Sequence, residues 1–239
     1  MKRDNEKAIQ RRLADLCSAH DLDRETGTAF RSVLESLADE HAPTAVRDPS
    51  EGVNVHIADS LSGLESPELQ GAELIADIGS GCGIPGLVLA VALPQARVIA
   101  VEASGRRCEF IEAAASRAGI GNIEAVKSRA EEWSDGLGKC DLVVARAVAP
   151  LAVLAEYAAP LLKPGGALVA WKGTPEPEEL EAAGKAAVVL GLEQLDAITV
   201  KPWPGGGRRQ LQRLRKVGPT PAGYPRRAGM ATKRPLGQS

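Results

Sequence analysis

A glycine-rich stretch near residue 80 carries the clearest chemical signal in the sequence. It begins Asp77-Ile78-Gly79-Ser80-Gly81 and continues to Gly86, and it follows a short apolar run typical of a buried strand. Glycine lets the backbone turn sharply and approach a ligand with no Cβ in the way. In an open α/β sheet, ligands bind beyond the carboxyl ends of the strands, where the strand order reverses. The stretch, here called the glycine loop (residues 77–86), therefore predicts a site for a nucleotide-like cofactor.

Two cofactor classes compete for this loop. The pattern Gly-x-Gly-x-x-Gly from Gly81, with Glu102 about 20 residues later, satisfies the dinucleotide fingerprint. The glycines, however, begin one step earlier at Gly79, and the carboxylates of Asp77, Glu102 and Glu131 would ring the pocket with negative charge. A dinucleotide site uses the helix terminus for a pyrophosphate anion, whereas S-adenosylmethionine carries two cationic groups and no phosphate. The charges therefore favour S-adenosylmethionine over NAD.

The residues at the strand ends complete the expected site. Glu102, which ends the second predicted strand, could accept hydrogen bonds from a ribose diol, although an acid there could also be a solvated strand end. Ala130 and Glu131 end the third strand and would border an adenine. Arg146 ends the fourth strand, beside the expected position of the transferring methyl, and is the candidate catalytic residue. The expected cofactor-binding residues are Asp77, Gly79, Ser80, Gly81, Gly83, Ile84, Glu102, Ala103, Ser104, Ala130, Glu131 and Arg146.

Strands and helices must alternate to place these residues at one edge of a sheet. From about residue 73, seven apolar segments predict strands, with amphipathic helices between most of them. One helix should end at Gly119, and another should run from Leu151 to the Pro164-Gly165-Gly166 turn. The last two strands are joined by a loop over 201–209 and should pair antiparallel. The predicted fold is α/β and Rossmann-like, with a seven-stranded mostly parallel sheet and helices on both faces.

The N-terminal residues predict a helical extension. Apolar side chains recur at helical spacing, as in Phe30, Val33, Leu34 and Leu37. A further helix should begin at Asp48-Pro49 and carry His56, Asp59 and Ser60. The expected organisation is an extension over 1–48, a catalytic domain over 49–218 and a basic flexible tail over 219–239. A chain that ends at Gly218 should therefore keep its sheet folded.

Charge is distributed unevenly along the chain. Residues 201–239 hold ten Lys or Arg and no Asp or Glu, whereas the other 200 residues hold 19 basic and 31 acidic side chains, a net charge of −12. A basic tail on an acidic body suggests a polyanionic partner, although a solvated tail that only aids solubility remains open. The four cysteines are scattered, which predicts neither a disulfide framework nor a metal site. No run reaches the ~18 apolar residues of a membrane span, so we expect no membrane partner and a cytoplasmic protein.

At this point the sequence resembles a known family, the bacterial 16S ribosomal RNA guanine-N7 methyltransferases of the glucose-inhibited division protein B type. The matching segments are VRDP, HIADS, ADIGSGCGIPG, VEASGRR, SRAEEW, ARAVAPL, LLKPGGALVAWKG and YPRRAGMATKRPL. They cover residues 44–239, and the segments outside the glycine loop are the more specific ones. The resemblance implies a class I methyltransferase fold and S-adenosylmethionine as the cofactor.

The resemblance also implies methyl transfer to N7 of a guanine in the small-subunit decoding region. Guanine N7 carries a free lone pair at neutral pH, so no general base is required, and alignment of the reactants would drive the reaction. The partner would be 16S ribosomal RNA or the small subunit, bound by a monomer. The expected RNA-binding residues are Arg47, His56, Lys172, Arg208, Arg209, Arg226, Arg227, Lys233 and Arg234.

Three alternatives remain open at this stage. A small-molecule methyltransferase would have no use for ten cations in its tail. An NAD(P)-dependent oxidoreductase would need a proton donor such as Tyr-x-x-x-Lys, but Tyr157 is followed four residues later by Leu161. A non-catalytic ribosome-binding protein could keep a vestigial cofactor loop, and measuring cofactor binding would distinguish it.

Overall fold

The computed structural model describes residues 2–237, and its centre is a seven-stranded sheet. The strands are β1 (Leu74–Ile78), β2 (Arg97–Glu102), β3 (Ile123–Lys127), β4 (Cys140–Arg146), β5 (Leu162–Lys172), β6 (Leu192–Val200) and β7 (Arg209–Lys216). Their order across the sheet is β3-β2-β1-β4-β5-β7-β6. β1 to β5 are parallel, and β7 runs antiparallel to both β5 and β6. The mostly parallel sheet and the antiparallel final pair are thus as predicted.

The longer helices cover both faces of this sheet. They are α1 (Lys2–Ala19), α2 (Thr26–Leu37), α5 (Gly86–Ala92), α6 (Gly105–Ala118), α7 (Leu151–Ala158) and α8 (Pro177–Leu190). Side chains from α5 and α6 share one apolar cluster with α1 and α2, whereas α7 and α8 belong to a second cluster. α6 ends at Gly119, which adopts φ of 68° in the left-handed region, as the sequence predicted.

The N-terminal helices are continuous with the main core. Phe30, Val33, Leu34 and Leu37 of α2 are all buried, and their cluster includes Leu87 of α5. Helix α3 (Pro49–Gly52) begins after Asp48, whose carboxylate caps the N–H groups of the first turn. The chain then widens into a π-helix over Val53–Ala58 and returns to α4 (Asp59–Leu61). The N-terminal helices therefore pack directly on the helices that cover one face of the sheet.

Short 3₁₀ turns and one short helix complete the elements. The 3₁₀ turns are Ser62–Glu65, Pro67–Leu69, Ala130–Glu132 and Ser134–Gly136, and α9 spans Met230–Lys233. Two boundaries differ from the sequence prediction. β3 ends at Lys127, so Ala130 and Glu131 lie in a turn rather than in the strand. α7 ends at Ala158, because Leu162 already pairs with Cys140 and the Pro164-Gly165-Gly166 stretch forms a bulge in β5.

Residues 219–237, here called the C-terminal segment, lie against the body of the protein. Arg226 donates two hydrogen bonds to the carboxylate of Glu156 in α7, and Ala231 is only 3% exposed. This packing differs from the flexible tail expected from composition, because a buried acid on α7 gives the segment a fixed partner. Met1, Gln238 and Ser239, which the expected extension and tail included, lie outside the described residues. Within residues 2–237, no helix combines the length and the apolar character that crossing a bilayer requires.

Candidate functional site

A cleft opens at the carboxyl ends of the parallel strands, where β1 and β4 lie side by side. Connections from these two strands run to opposite sides of the sheet, so this is the switch point at which α/β sheets bind ligands. The cavity measures about 200 Å³. Its lining, here called the strand-end cleft, consists of Ile78, Gly79, Val101, Glu102, Ala103, Ser128, Arg129, Ala130, Glu131, Val148, Ala149, Tyr157 and Thr232.

The glycine loop forms the floor of this cleft. Gly79 and Gly81 adopt φ of 66° and 62°, a region that favours glycine over residues with a Cβ. A Cβ on Gly79 would lie 2.9 Å from a methyl of Val148, so the loop and the β4 end approach too closely for any side chain there. A Cβ on Gly81 would instead project into open space, 3.8 Å from the nearest protein atom. The loop therefore leaves room for a ligand directly above its backbone.

Asp77 supports the glycine loop from below. Its Oδ2 accepts hydrogen bonds from Ser80 Oγ at 2.6 Å and from Gly86 N at 2.9 Å, and the side chain is 1% exposed. Oδ1 is buried without a hydrogen-bond partner in the described part of the chain. Burial raises the pKa of Asp77 to about 6, against the lowering effect of these two hydrogen bonds. Asp77 thus fixes the loop and does not line the cleft, contrary to the ring of three acids expected from the sequence.

Glu102 does line the cleft, at the end of β2. Its two carboxylate oxygens accept hydrogen bonds from Gly81 N and Ser104 N, each at 2.9 Å. Arg107 Nη1 also lies 3.7 Å from Oε2, an ion pair beyond hydrogen-bonding distance. A carboxylate can accept about four hydrogen bonds, so both oxygens keep a free position. They can therefore receive the two hydroxyls of a ribose while they hold the glycine loop in place.

The other expected cofactor residues surround these two acids. Ala103, Ala130 and Glu131 line the cleft. Ser104 occupies the N-cap position of α6 without a capping hydrogen bond from its side chain, and Ser80 and Ile84 are buried members of the glycine loop. The lining thus combines a backbone that a ligand can approach closely, a carboxylate that can bind the diol of a ribose, and small apolar residues that suit a flat base. These features fit S-adenosylmethionine.

Arg146 lies at the end of β4 and is held by the helix over Val53–Ala58 and the residue after it. Its Nη1 donates to Val55 O at 2.6 Å and to Asp59 Oδ2 at 2.9 Å. The side chain is 16% exposed, and its charge acts on Asp77 in the glycine loop. Ala147, which follows it, has φ of 56°, a strained value for a residue with a Cβ, and this turn leads the chain away from the sheet.

Asp59 binds a second arginine, which the sequence did not single out as its partner. Its Oδ1 accepts a hydrogen bond of 3.2 Å from Nε of Arg209, the first residue of β7. The guanidinium of Arg209 also lies 5.8 Å from the ring centroid of Trp203, within cation–π range. Trp171 donates from Nε1 to Asp59 O, which fixes the backbone of Asp59. Asp59 therefore holds two guanidinium groups, those of Arg146 and Arg209. These two groups are here called the cationic surface beside the glycine loop.

Four expected RNA-binding residues have structural partners instead, and one of them is Arg209, which is bound to Asp59 as described above. His56 is 3% exposed, and its Nε2 lies 2.9 Å from Val46 O. Lys172 forms an ion pair of 2.7 Å with Glu179. Arg226 is committed to Glu156, as described above. The sequence gives no local sign of the acids and the carbonyl group that bind them.

The remaining expected RNA-binding residues lie on exposed surface. Arg208, Arg227, Lys233 and Arg234 are exposed, and Arg47 borders a basic depression of about 570 Å³. Arg106 and Arg107, at the start of α6, line the same depression and were not singled out from the sequence. Their position next to Ser104 could have identified them from the sequence, because the first turn of α6 must face the carboxyl edge of the sheet.

The sheet order, the glycine loop and the acid at the end of β2 define the class I, Rossmann-like methyltransferases. The fold is similar to a methyltransferase from Pyrococcus furiosus, with a TM-score of 0.54 and 21% identity over 67% of this chain and 82% of that one. It is also similar to the W203A mutant of the 16S rRNA (adenine(1408)-N(1))-methyltransferase from Catenulisporales acidiphilia, with a TM-score of 0.52 and 20% identity over 67% and 93%.

The family is more specific than the fold. Residues 25–205 match the GidB family model, described as rRNA small subunit methyltransferase G. Proteins named Ribosomal RNA small subunit methyltransferase G from Rubrobacter xylanophilus and Pelotomaculum thermopropionicum are each 40% identical to this chain over 196 residues. The matches cover 80% and 81% of this chain and 75% and 82% of those proteins. The chain belongs to this family of S-adenosylmethionine-dependent methyltransferases, which act on 16S ribosomal RNA.

Proposed function

We propose that this protein transfers the methyl group of S-adenosylmethionine to N7 of a guanine in the ribosomal RNA of the small subunit. The observation that carries the proposal is the position of Arg146, which is fixed at the end of β4 beside the glycine loop. The cofactor, when bound in the strand-end cleft, supplies an electrophilic methyl group. Guanine N7 carries a lone pair and no proton at neutral pH, so the nucleophile needs no activation.

The chain's own residues serve to bind and align the reactants. Glu102 is positioned to accept the ribose hydroxyls, and the glycine loop allows the close approach of the cofactor. Arg146 can donate to guanine O6 or to a phosphate while N7 stays free, since arginine is a common partner of the guanine edge. Burial lowers the pKa of His56, and its Nε2 is engaged with Val46 O. An enclosed histidine with Nε2 engaged offers the substrate no accessible base, which agrees with a reaction that uses no general base.

Exposed cations on two sides of the cleft are positioned to hold the RNA backbone. Arg47 and Arg106 lie on one side, next to Arg107, which is paired with Glu102. Arg227 and Lys233 lie on the C-terminal segment. Phosphate contacts of this kind orient the substrate and carry no sequence information. We further infer that one chain acts as a monomer, because it builds the whole cleft, and that it works in the cytoplasm, where small subunits are assembled.

The test is methyl transfer with defined substrates. The purified protein would be incubated with labelled S-adenosylmethionine and with either naked 16S ribosomal RNA or small subunits from a strain that lacks the gene. Mapping by mass spectrometry should find one N7-methylguanine that is absent from the untreated RNA. Methyl groups on ribose, on exocyclic amines or on adenine would contradict the assignment. The Arg146→Ala variant, which should bind cofactor but transfer the methyl slowly, serves as the matched negative control.

A further inference from the structure

The C-terminal segment is attached to the body through a buried ion pair. Nε and Nη2 of Arg226 donate to the two oxygens of Glu156 at 2.6 and 2.5 Å, and Glu156 is 1% exposed. A third Arg226 hydrogen bond, of 2.9 Å, reaches Arg234 O, so the same guanidinium connects two parts of the segment. Because a buried carboxylate without its partner is costly, this pair holds the segment in one place.

From that anchor the segment extends to the strand-end cleft. Gly229 donates its N–H to Glu131 Oε1 at 3.0 Å, and Glu131 lines the cleft. Thr232 lines the cleft itself, and its Oγ1 lies 3.2 Å from the hydroxyl of Tyr157, another lining residue. Ala231 between them is 3% exposed. The segment therefore covers the side of the cleft formed by Ala130 and Glu131.

We propose that the C-terminal segment is a wall of the S-adenosylmethionine site, in which Thr232 contacts the cofactor and Arg226 is a positioning residue. The inference rests on the proposed placement of the cofactor in the strand-end cleft. The C-terminal segment would therefore contribute to cofactor binding as well as to RNA binding. Segment and cofactor stabilise each other, and this coupling must act equally in both directions. Bound cofactor should hold the segment closed, and loss of the segment should weaken cofactor binding in the absence of RNA.

The first experiment measures S-adenosylmethionine affinity by calorimetry without RNA. Thr232→Phe places a ring in the cleft and leaves the Arg226–Glu156 pair intact. We expect it to weaken binding about tenfold or more, with an unchanged melting temperature. Arg226→Met should weaken binding as well, but it also destabilises the fold. Arg117→Met removes an exposed cation of α6 outside the segment and should leave cofactor affinity unchanged.

The second experiment measures hydrogen exchange of the unmodified protein. S-adenosylmethionine should slow exchange of the amides over 229–234, whereas a purely structural segment would exchange at the same rate with and without cofactor. Full affinity in Thr232→Phe together with unchanged exchange would overturn the inference. Gly81→Val separates this outcome from failure of the proposed function. If Gly81→Val loses cofactor binding and Thr232→Phe keeps it, only the inference that the C-terminal segment forms a wall of the site is wrong. If Gly81→Val keeps full affinity, the placement of the cofactor is wrong.

Discussion

Asp59 accepts a hydrogen bond of 2.9 Å from Arg146, although the two residues are 87 positions apart in the chain. The pair joins the helical segment before β1 to the end of β4. Both side chains are largely buried, at 7% and 16% exposure, so their geometry is well defined. The candidate catalytic arginine is therefore positioned by an element outside the sheet.

The first prediction concerns this pair. Arg146→Ala should lower single-turnover methyl transfer about a hundredfold, as loss of one oriented donor does in other active sites. Lysine should rescue poorly, because Arg146 donates to Val55 O and Asp59 from Nη1 alone and keeps the other guanidinium nitrogens for the substrate, whereas lysine has a single ammonium. Asp59→Asn should lower the rate by a smaller factor, about tenfold for a lost interaction of about 1.4 kcal/mol. Cofactor affinity should change less than the rate in all three.

The control for this series is Arg97→Ala. Arg97 forms an ion pair of 2.7 Å with Glu124 at the exposed, opposite end of β2. Its removal should leave turnover unchanged. Normal turnover in Arg146→Ala would refute the catalytic role, and a collapsed melting temperature would show that the arginine is structural.

The second prediction concerns Gly81. A valine there needs φ near 62°, which is strained, and it places a side chain where the cofactor must lie. S-adenosylmethionine binding should be lost in a calorimetric titration. Gly138→Val is the matched control, because Gly138 has φ of 66° in an open loop near the other end of β4. It should lose a similar ~1–2 kcal/mol of stability and keep its affinity.

The third prediction concerns pH. The pKa of Asp77 is raised by burial to about 6, and S-adenosylmethionine brings positive charge close to the loop that Asp77 supports. Cofactor binding favours the carboxylate, so affinity should rise as pH increases from 5 to 7. In the cofactor-free protein, the effect of Asp77 on the free energy of unfolding has the opposite dependence on pH. The contribution of Asp77 to the free energy of unfolding is full below pH 3.8 and is lost as pH rises through about 6.

The measurement is a set of cofactor titrations between pH 5 and 8. Asp77→Asn removes the titrating group at nearly constant volume, and its affinity should lose the rise between pH 5 and 7. An affinity that falls through this range in the unmodified protein would contradict the assignment.

The fourth prediction concerns the exposed cations of the C-terminal segment. Replacing Arg227, Lys233 and Arg234 together with glutamine should weaken RNA binding, and the slope of log affinity against log salt should fall by ~0.7 for each lost phosphate contact. The methylated nucleotide should stay the same. A control of equal charge change replaces Arg97, Arg117 and Lys185, which are exposed elsewhere. Equal salt slopes in the two triple variants would exclude a specific role for the segment.

Removing the segment altogether is a less informative test than the sequence suggested. A chain that ends at Gly218 lacks Arg226 and leaves the carboxylate of Glu156 buried without its partner. Loss of one partner of a buried pair typically costs about 3 kcal/mol or more. The truncated chain would therefore differ from the full chain in stability as well as in RNA affinity.

Local pattern was sufficient to predict the sheet and the glycine loop. Buried strands are short apolar runs, and the Gly-rich turn after β1 has few structural explanations other than a ligand, so these features are visible in neighbouring residues. The helix after Asp48 was also predicted, because its cap is a contact within three residues. Residues at strand ends, such as Glu102 and Arg146, followed directly from the strand assignments.

Contacts between distant residues could not be predicted in this way. The Arg226–Glu156 pair spans 70 positions and the Tyr157–Thr232 contact spans 75. A buried glutamate within an alanine-rich helix and an arginine in a Pro- and Gly-rich tail give no local sign that they meet. The same holds for the partners of His56 and Lys172, which only the packing of separate elements brings within hydrogen-bonding distance.

The position of β7 between β5 and β6 has a consequence for the growing chain on the ribosome. β6 is synthesised before β7 but pairs only with it, so residues 192–200 have no place in the sheet until 209–216 emerge. Until then β5 has an open edge, and Asp59 lacks Arg209. β5 ends at Lys172 and β7 ends at Lys216, so at about 5–20 residues per second the edge of β5 stays open for roughly 2 to 9 s. The cationic surface beside the glycine loop is thus completed only after β7, the last strand of the described sheet in chain order, has emerged.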